Sequence, residues 1–234
     1  MHILLVGQGN MAKAVEATCI SRDIKVTRFG MDFDYSNPHY GKPVAIHFGS
    51  GKQLFSLIKL CETQRMPIIQ GSTKLEMSFP SIPSDRNVAI INAPNLSLPM
   101  IRFVASFPAF VEVIKAGMGL RIVESHQKQK ADTSGTARAV AKVLGISESA
   151  IKSIRDPDVQ IAFGVPEKHL GGHAYHDFIF TGQGVEIRVS TKIRGRTTYA
   201  EGALTLAQAL SELQEPLKNG VHELKDILHL LPTK

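Results

Sequence analysis

Gly7-Gln8-Gly9-Asn10-Met11-Ala12 follows the first apolar run of the chain, Ile3 to Val6, and leads into a helix-like pattern from Met11 to Ile20. These six residues match the spacing GxGxxG/A. In that motif the first glycine permits a tight turn, the second lets backbone approach a pyrophosphate, and the third position is small so that helix and strand pack closely. Backbone N–H groups at the helix start face the phosphates. The stretch predicts a dinucleotide site at Gly7, Gln8, Gly9, Asn10 and Met11.

Outward from this motif, short apolar runs alternate with helical patterns. The strand-like runs are Ile3–Val6, Ile24–Phe29, Val44–Phe48, Ile68–Gln70 and Val88–Ile91. A helical pattern also covers Lys52–Gln64. Such alternation predicts an α/β fold with a Rossmann-like parallel sheet and helices on both of its faces. The alternative interpretation of the motif is a glycine turn in some other α/β protein.

The pattern changes after Leu98 and predicts a second, α+β domain. A helix-like stretch runs from Pro99 to about Lys115, and another helix opens near Ser134. Strand-like segments are Leu120–Ser125, Val159–Val165, Tyr175–Phe180 and Val185–Ile193, which together predict a mixed or antiparallel sheet. The tail from Ala203 to Leu231 has helical spacing. We expect residues 1–98 with 200–234 to form the dinucleotide-binding domain and residues 99–199 to form the second domain, joined by short hinges near Leu98 and Thr197.

The amino-acid composition limits the classes of molecule that the protein is expected to bind. The chain has 234 residues, 43% hydrophobic and 21% charged, and its net charge of +6 comes from scattered Lys and Arg rather than from a basic tract. We therefore expect no nucleic-acid binding, no membrane span and no secretory leader at the first apolar run. Cys19 and Cys61 lack metal-site spacing, and a strand would place His173 and His176 on opposite faces, so no metal is expected. Two groups of basic residues suit a substrate that carries carboxylates. The first comprises Arg121, Lys128, Lys130 and Arg138, and the second comprises Arg188, Lys192, Arg194 and Arg196.

The second predicted strand bears on cofactor choice. It ends Val26-Thr27-Arg28-Phe29-Gly30 and carries no acidic residue to bind the ribose 2′-hydroxyl of NAD. Arg28 can instead pair with the 2′-phosphate of NADP, which predicts NADPH as preferred over NADH. Asp32 or Asp34 folding back to the ribose is the alternative.

The segment Glu124-Ser125-His126-Gln127-Lys128-Gln129-Lys130-Ala131-Asp132-Thr133-Ser134-Gly135-Thr136-Ala137 is rich in groups that can do chemistry. His126 and Lys130 are possible proton donors, and neighbouring cations lower the pKa of a lysine. Ser134-Gly135-Thr136 places hydroxyl and N–H groups at a helix start, where a carboxylate is well bound. From composition alone, a solvated loop with an ordinary serine N-cap fits equally well.

This segment resembles the motif E-x-H-H-x-x-K-x-D-A-P-S-G-T-A of the 4-hydroxy-tetrahydrodipicolinate reductase (dihydrodipicolinate reductase) family. The chain has one residue fewer where the family has Ala-Pro, and Gln127 replaces the second histidine. Other stretches agree with the family pattern: Ala93-Pro94-Asn95-Leu96-Ser97, Gly71-Ser72-Thr73, Gly171-Gly172-His173, Phe180, and Arg196 to Ala203. Two stretches depart from it, because His47-Phe48-Gly49-Ser50 replaces a D-F-T element and Lys74 stands where glycine is usual.

The resemblance implies a role for each matching residue. His126 and Lys130 would serve proton transfer, with Lys130 favoured as the acid, and the substrate would contact Gln127, Ser134, Gly135 and Thr136. The nicotinamide cofactor, NADPH or NADH, would also contact Phe48, Gly71, Ser72, Thr73, Ala93, Pro94 and Asn95.

At the level of the whole protein, the resemblance implies NAD(P)H-dependent reduction of 4-hydroxy-2,3,4,5-tetrahydrodipicolinate, a cyclic dicarboxylate of diaminopimelate and lysine biosynthesis. It further implies a cytoplasmic homotetramer assembled through the second domain. Two alternatives remain: another two-domain NAD(P)-dependent reductase that acts on a small anionic imine, and a catalytically inactive homologue that senses the dinucleotide.

Overall fold

The computed structural model describes residues 1–30, 42–73 and 87–231, so Asp32, Asp34 and Lys74 lie outside the described residues. Within these residues its strands are β1 (His2–Val6), β2 (Lys25–Arg28), β3 (Val44–His47), β4 (Ile68–Gln70), β5 (Ala89–Asn92), β6 (Gly119–His126), β7 (Ile151–Ile154), β8 (His173–Gly182), β9 (Val185–Arg194) and β10 (Gly220–Glu223). Its α-helices are α1 (Asn10–Ser21), α2 (Gly51–Gln64), α3 (Leu98–Ala105), α4 (Val111–Lys115), α5 (Gly135–Val143), α6 (Pro157–Ala162) and α7 (Thr197–Glu212). Short 3-10 helices cover Phe107–Phe110, Glu148–Ala150, Glu167–His169 and Leu224–Leu230.

The chain divides into two compact units. Unit 1 comprises Met1–Leu98 with Thr197–Lys234, and unit 2 comprises Pro99–Arg196. No helix within the described ranges has the length and apolar character needed to cross a membrane.

Unit 1 is built on a parallel sheet of six strands in the order β10-β5-β4-β3-β1-β2. Every described pairing in it is parallel, which confirms the predicted Rossmann-like fold. The strands β1, β3 and β4 are buried along their whole length, as expected for a parallel sheet covered on both faces. Parallel register brings the carboxyl ends of β1, β3, β4 and β5 to one edge, where the loops after them meet.

Helix α7, with which the chain returns to unit 1, packs very closely against the backbone of Leu96. A Cβ atom on Gly202 would overlap the carbonyl oxygen of Leu96, so no larger residue fits there. Ser97 reinforces this contact, because its hydroxyl lies 3.2 Å from that of Thr198. The close packing therefore explains why residue 202 is a glycine.

Unit 2 is built on a mixed sheet of four strands in the order β7-β6-β8-β9, which confirms the predicted mixed sheet. β6 pairs with β7 in parallel, and it pairs with β8 in antiparallel register, with Glu124 opposite His176. Helix α5 covers one face through a core that includes Ile122, Val140 and Phe178. Even-numbered β6 residues such as Glu124 lie on this face, and odd-numbered ones such as Arg121 lie on the other.

Two predicted elements are wrong. Val159–Val165 is not a strand, because Asp156 caps a helix there by accepting hydrogen bonds from the N–H groups of Asp158 and Val159, and Pro157 occupies its first position. The helical tail ends at Glu212, and β10 with a 3-10 helix over Leu224–Leu230 follows it. The short strand β7 is an element that the sequence pattern did not reveal.

Candidate active site

The loop after β1 has the geometry that a phosphate loop requires. Gly7 adopts φ +122°, and a Cβ atom there would lie 2.8 Å from the carbonyl carbon and oxygen of Phe48, so only glycine fits. A Cβ atom on Gly9 would meet nothing within 4 Å, which leaves open space at the start of α1. Ala12 is fully buried, as the third motif position demands.

The first turn of α1 is suited to an anion. Gly9 is the N-cap residue, no side chain caps the helix, and no acidic residue stands in its first turn. Its N–H groups and the positive end of the helix dipole are therefore available to a phosphate. Gln8 and Asn10 are exposed beside this opening and Met11 is half-buried. The residues present fit a dinucleotide pyrophosphate.

Phe48 locks three loops of unit 1 together. Its backbone N–H donates to the carbonyl of Val6 at 2.8 Å. On the other side, a Cβ atom on Gly71 would collide with Cε1 of the Phe48 ring. Phe48 is thus wedged between Gly7 and Gly71, and the loops after β1, β3 and β4 form one connected edge.

A buried polar network joins the loops after β3 and β4. His47 is 0% exposed, with Nδ1 2.9 Å from Oε1 of Gln70 and Nε2 3.1 Å from the carbonyl oxygen of Ser50. Burial lowers the pKa of His47, although both hydrogen bonds oppose the shift. The Gln70 amide in turn bonds the backbone N–H and carbonyl of Ser72, each at 2.9 Å, and the Ser72 hydroxyl donates to the carbonyl of Gly49. The histidine that departs from the family pattern is therefore part of the support of this loop.

The remaining predicted cofactor residues lie along the same edge. Thr73 and Pro94 are exposed, whereas Ala93 is buried and donates its N–H to the carbonyl of Gln70 at 2.8 Å. The Asn95 side chain accepts a hydrogen bond from the backbone N–H of Ser97. The fold thus collects these residues beside the phosphate loop.

Arg28 already has partners in this structure. Its Nε and Nη2 donate to the carboxylate of Glu16 at 3.0 and 2.7 Å, and Nη1 donates to the carbonyl of Gly7. The side chains of Arg28 and Glu16 are 24% and 33% exposed. Arg28 therefore lies beside the loop after β1, and its charge is paired with a carboxylate.

In unit 2, Glu124 is the centre of a dense polar cluster on the face covered by α5. It is fully buried and accepts hydrogen bonds from Arg155, from the Ser153 hydroxyl at 2.5 Å and from the Ser134 N–H at 3.3 Å. His126 Nδ1 lies 2.6 Å from its Oε2. Burial favours the neutral acid, but the hydrogen bonds from His126, Arg155 and Ser153 prevail and hold the pKa of Glu124 well below its usual range. Glu124 is therefore a carboxylate at neutral pH.

The ionised Glu124 sets the orientation of His126. A carboxylate can only accept, so Nδ1 of His126 carries a proton and Nε2 points away from the pair. The His126 side chain keeps 13% exposure, whereas that of Glu124 has none. A carboxylate behind a histidine is the arrangement that positions an imidazole for binding or proton transfer.

Lys130 lies on the loop between β6 and α5, where its backbone N–H donates to the carbonyl of Gln127 at 2.9 Å. Burial lowers the pKa of Lys130, and the positive charges of Arg155 and Arg138 act in the same direction, against Asp132 and Glu124. A lysine with a lowered pKa is a better proton donor near neutral pH than a solvated lysine.

The Ser134 hydroxyl has an internal role at the start of α5. It caps the helix by accepting from the Ala137 N–H, and it lies 2.7 Å from Nε2 of His176. Burial, aided by His126, lowers the pKa of His176 to about 3, so that ring is neutral. Gly135 is exposed, and a Cβ atom on it would meet nothing within 4 Å, while Thr136 is half-buried. The open groups at this helix start are thus the N–H groups that follow Ser134.

The structure does not bring all predicted cations together. Lys192 and Arg194 contact Tyr175, on the face of β8 opposite His176. His173 also lies on that face, where its Nδ1 is 3.0 Å from the carbonyl of His169 and its Nε2 is 2.8 Å from the Ser125 hydroxyl. These two members of the second basic group are therefore separate from the Glu124 cluster. Within the described ranges, no three His, Cys, Asp or Glu side chains are grouped as metal ligands.

Sequence reasoning missed Arg155, Ser153 and the contact between His176 and Ser134. Arg155 follows β7 and belongs to no recognisable local motif. Only the pairing of β6 with β7 brings it to Glu124, which is 31 residues away in the chain. A prediction of β7 beside β6 would have been needed to find it.

Comparison with known proteins identifies related sequences. The family model described as "Dihydrodipicolinate reductase, C-terminus" matches residues 100–228. A probable 4-hydroxy-tetrahydrodipicolinate reductase 1, chloroplastic, of Oryza sativa subsp. japonica is 31% identical over 70% of this chain and 51% of its own length. The 4-hydroxy-tetrahydrodipicolinate reductase of Thiobacillus denitrificans is 25% identical over 81% of this chain and 74% of its own length. The chain thus spans about half the length of the plant relatives that it matches.

A solved structure shares the fold. The dipicolinate-bound dihydrodipicolinate reductase from Paenisporosarcina sp. TG-14 superimposes with a TM-score of 0.60 at 16% identity, covering 97% of this chain and 99% of its own. The family model covers more than half of the chain and includes the whole Glu124 cluster. This chain belongs to the dihydrodipicolinate reductase family.

Proposed function

We propose that this chain is an NAD(P)H-dependent 4-hydroxy-tetrahydrodipicolinate reductase of diaminopimelate and lysine biosynthesis. The observation that carries the proposal is the segment 124–136, which holds a carboxylate-oriented His126, a Lys130 of lowered pKa and open N–H groups at the start of α5. The names of the relatives support the reaction. The dipicolinate bound to the Paenisporosarcina reductase supports a cyclic dicarboxylate substrate.

The start of α5 would bind one substrate carboxylate. The N–H groups of Gly135 and Thr136 have no partner within the helix at these positions, and the helix dipole favours an anion there. Ser134 would contribute by fixing the start of the helix, because its hydroxyl is engaged with Ala137 and His176. Gln127 would supply a neutral polar contact on the same loop.

Lys130 would donate a proton to the reacting substrate, whose hydroxyl leaves as water. His126, with its Nδ1 proton on Glu124, would direct Nε2 to the substrate and stabilise developing charge. A bound reduced nicotinamide supplies the hydride. Gly7, Gly9 and the first turn of α1 would hold the pyrophosphate, and the loops that carry Phe48, Ser72 and Asn95 would hold the rest of the dinucleotide.

Within this function we propose NADPH as the preferred cofactor, through Arg28. Because Glu16 now neutralises Arg28, we expect Glu16→Gln to release the guanidinium and raise the ratio of kcat/KM for NADPH to that for NADH. Arg28→Ala should lower the same ratio by about ten-fold, the effect of losing one charge-assisted hydrogen bond. Steady-state kinetics with both cofactors measure this ratio of kcat/KM values. The NADH values serve as the control, because the contact of Arg28 with Gly7 affects both cofactors. An unchanged ratio in Arg28→Ala would remove Arg28 from the proposal.

The activity itself is tested by following NADPH oxidation with enzymatically generated 4-hydroxy-tetrahydrodipicolinate. Oxidation that depends on this substrate, with tetrahydrodipicolinate as product, is the expected result. Cofactor binding without turnover would favour a dinucleotide-sensing protein. Turnover of another anionic imine in place of the dicarboxylate would favour a different reductase.

A homotetramer assembled through unit 2 is also proposed. β9 is the edge strand of its sheet, and it leaves Val185 and Ile187 exposed at 52% and 37%. Long edge strands with exposed apolar residues are usually covered by a partner. A cytoplasmic location stays a prediction, since plant relatives carry the word chloroplastic in their names.

A further inference from the structure

Arg155 uses its whole guanidinium group on unit 2. Nε donates to the carbonyl of Lys130 at 2.8 Å. Nη1 donates to Oε2 of Glu124 at 3.0 Å and to the carbonyl of Ile154 at 2.9 Å. Nη2 donates to Oε1 of Glu124 at 2.6 Å and to the carbonyl of Asp132 at 3.1 Å. A guanidinium carries five N–H donors, and here five acceptors match them. The side chain is only 20% exposed.

Two of these bonds control a buried charge. Glu124 has no exposure, and an unpaired carboxylate in such a place would take up a proton. The fork of Arg155 bonds both carboxylate oxygens, a bidentate, charge-assisted pairing that is stronger and more specific in geometry than a neutral hydrogen bond. Arg155 therefore keeps Glu124 in the form that fixes the Nδ1 proton of His126.

Two other bonds control the loop between β6 and α5. The carbonyls of Lys130 and Asp132 both accept from Arg155, on either side of residue 131. The backbone from which the Lys130 side chain projects is thereby tied to the same guanidinium that binds Glu124. The Ser134 N–H adds one further bond from this loop to Glu124, at 3.3 Å.

We propose that Arg155 is a positioning residue for the reaction: one guanidinium sets both the backbone of the proton donor Lys130 and the carboxylate that orients His126. The proposal rests on the proposed function for the roles of Lys130 and His126. Arg155 touches neither substrate nor cofactor in this scheme. It acts through the two residues that do.

Lysine cannot replace Arg155 in this role. A lysine ammonium has three donors on a flexible stem and lacks the planar fork, so it cannot bond both Glu124 oxygens and both loop carbonyls together. Arg155→Lys keeps the charge and loses the geometry. It therefore separates positioning from simple charge compensation.

The experiment compares Arg155→Lys and Arg155→Ala with Arg121→Lys and Arg121→Ala. Arg121 belongs to the first predicted basic group, but it is exposed on the opposite face of the same sheet, away from Glu124, and the proposed site does not include it. We expect both Arg155 variants to lose about 10²-fold in kcat, the usual effect of slightly misplaced reacting groups, with little change in NADPH affinity. The Arg121 variants should match wild type. Added guanidinium ion should restore part of the activity of Arg155→Ala and should not help Arg155→Lys.

A second readout does not need turnover. In ¹⁵N NMR spectra of the histidine side chains, His126 should carry its proton on Nδ1 in the wild type and lose that fixed tautomer in Arg155→Ala. Wild-type kcat in Arg155→Lys, or an unchanged His126 tautomer in Arg155→Ala, would overturn the proposal. If the wild type fails to reduce the dicarboxylate at all, the proposed function fails, and the tautomer measurement still decides whether Arg155 sets His126. If Arg155→Ala does not fold, the His126 tautomer is measured in Arg155→Lys by the same NMR spectra, and that result decides.

Discussion

Replacing Lys130 by alanine should lower kcat by about 10²- to 10⁴-fold, the usual contribution of a general acid. The dissociation constant of NADPH should stay the same, because Lys130 is not among the residues proposed to hold the dinucleotide. Steady-state kinetics and a fluorescence titration with NADPH measure the two quantities. Lys142→Ala, an exposed lysine in the last turn of α5, is the matched control and should behave as wild type.

The pH dependence of kcat tests the same assignment independently. Only the ammonium form of Lys130 can donate a proton, and burial lowers its pKa. Wild-type kcat should therefore fall as the pH rises through a value below that of an ordinary lysine. This basic limb should be missing from Lys130→Ala. Near wild-type turnover in the variant, or an unchanged basic limb, would show that another group is the acid.

Replacing Glu124 by glutamine should lower the free energy of unfolding by about 3–5 kcal/mol, the range found when one partner of a buried ion pair is removed. The NH₂ group of the new amide is a donor and would face the donors of Arg155 and Ser153. Arg155 would also lose the negative charge that balances its own. Urea unfolding at neutral pH measures the loss. Glu148→Gln, at an exposed position in a 3-10 helix, should cost almost nothing.

The destabilisation should depend on pH in a defined direction. The pKa of Glu124 is lowered in the folded protein, so its contribution is complete above the unfolded value of about 4.3 and is lost as the pH falls toward the folded value. The difference between wild type and Glu124→Gln should therefore be largest at neutral pH and shrink below about pH 4. A difference that stays constant between neutral and acidic pH would mean that Glu124 is not ionised in the native state.

Much of the fold of unit 1 could be predicted because its signals are local. The glycine motif, the buried strands and the amphipathic helices each lie within a few consecutive residues. The errors arose where local signals conflict. Val159 and Ile161 suggest a strand, yet Asp156 and Pro157 begin a helix, and capping decides the outcome over so short a stretch.

The candidate site could be predicted only as far as it is continuous in sequence. His126, Lys130 and Ser134 belong to one motif, so the resemblance found them together. Arg155 and His176 reach the same cluster through strand pairing, which no spacing rule reveals from a single sequence. Arg28 could be placed near the glycine motif, but its partner Glu16 lies on helix α1, and no spacing rule links the two residues.

The wedge of Phe48 between Gly7 and Gly71 limits how this protein can be re-engineered. A designer who wishes to change cofactor choice would naturally exchange one loop at a time with a homologue. Here a bulkier residue at either glycine collides with Phe48, through its backbone on one side and its ring on the other. The three positions form a single exchangeable module, so grafts should transfer Gly7, Phe48 and Gly71 as a set.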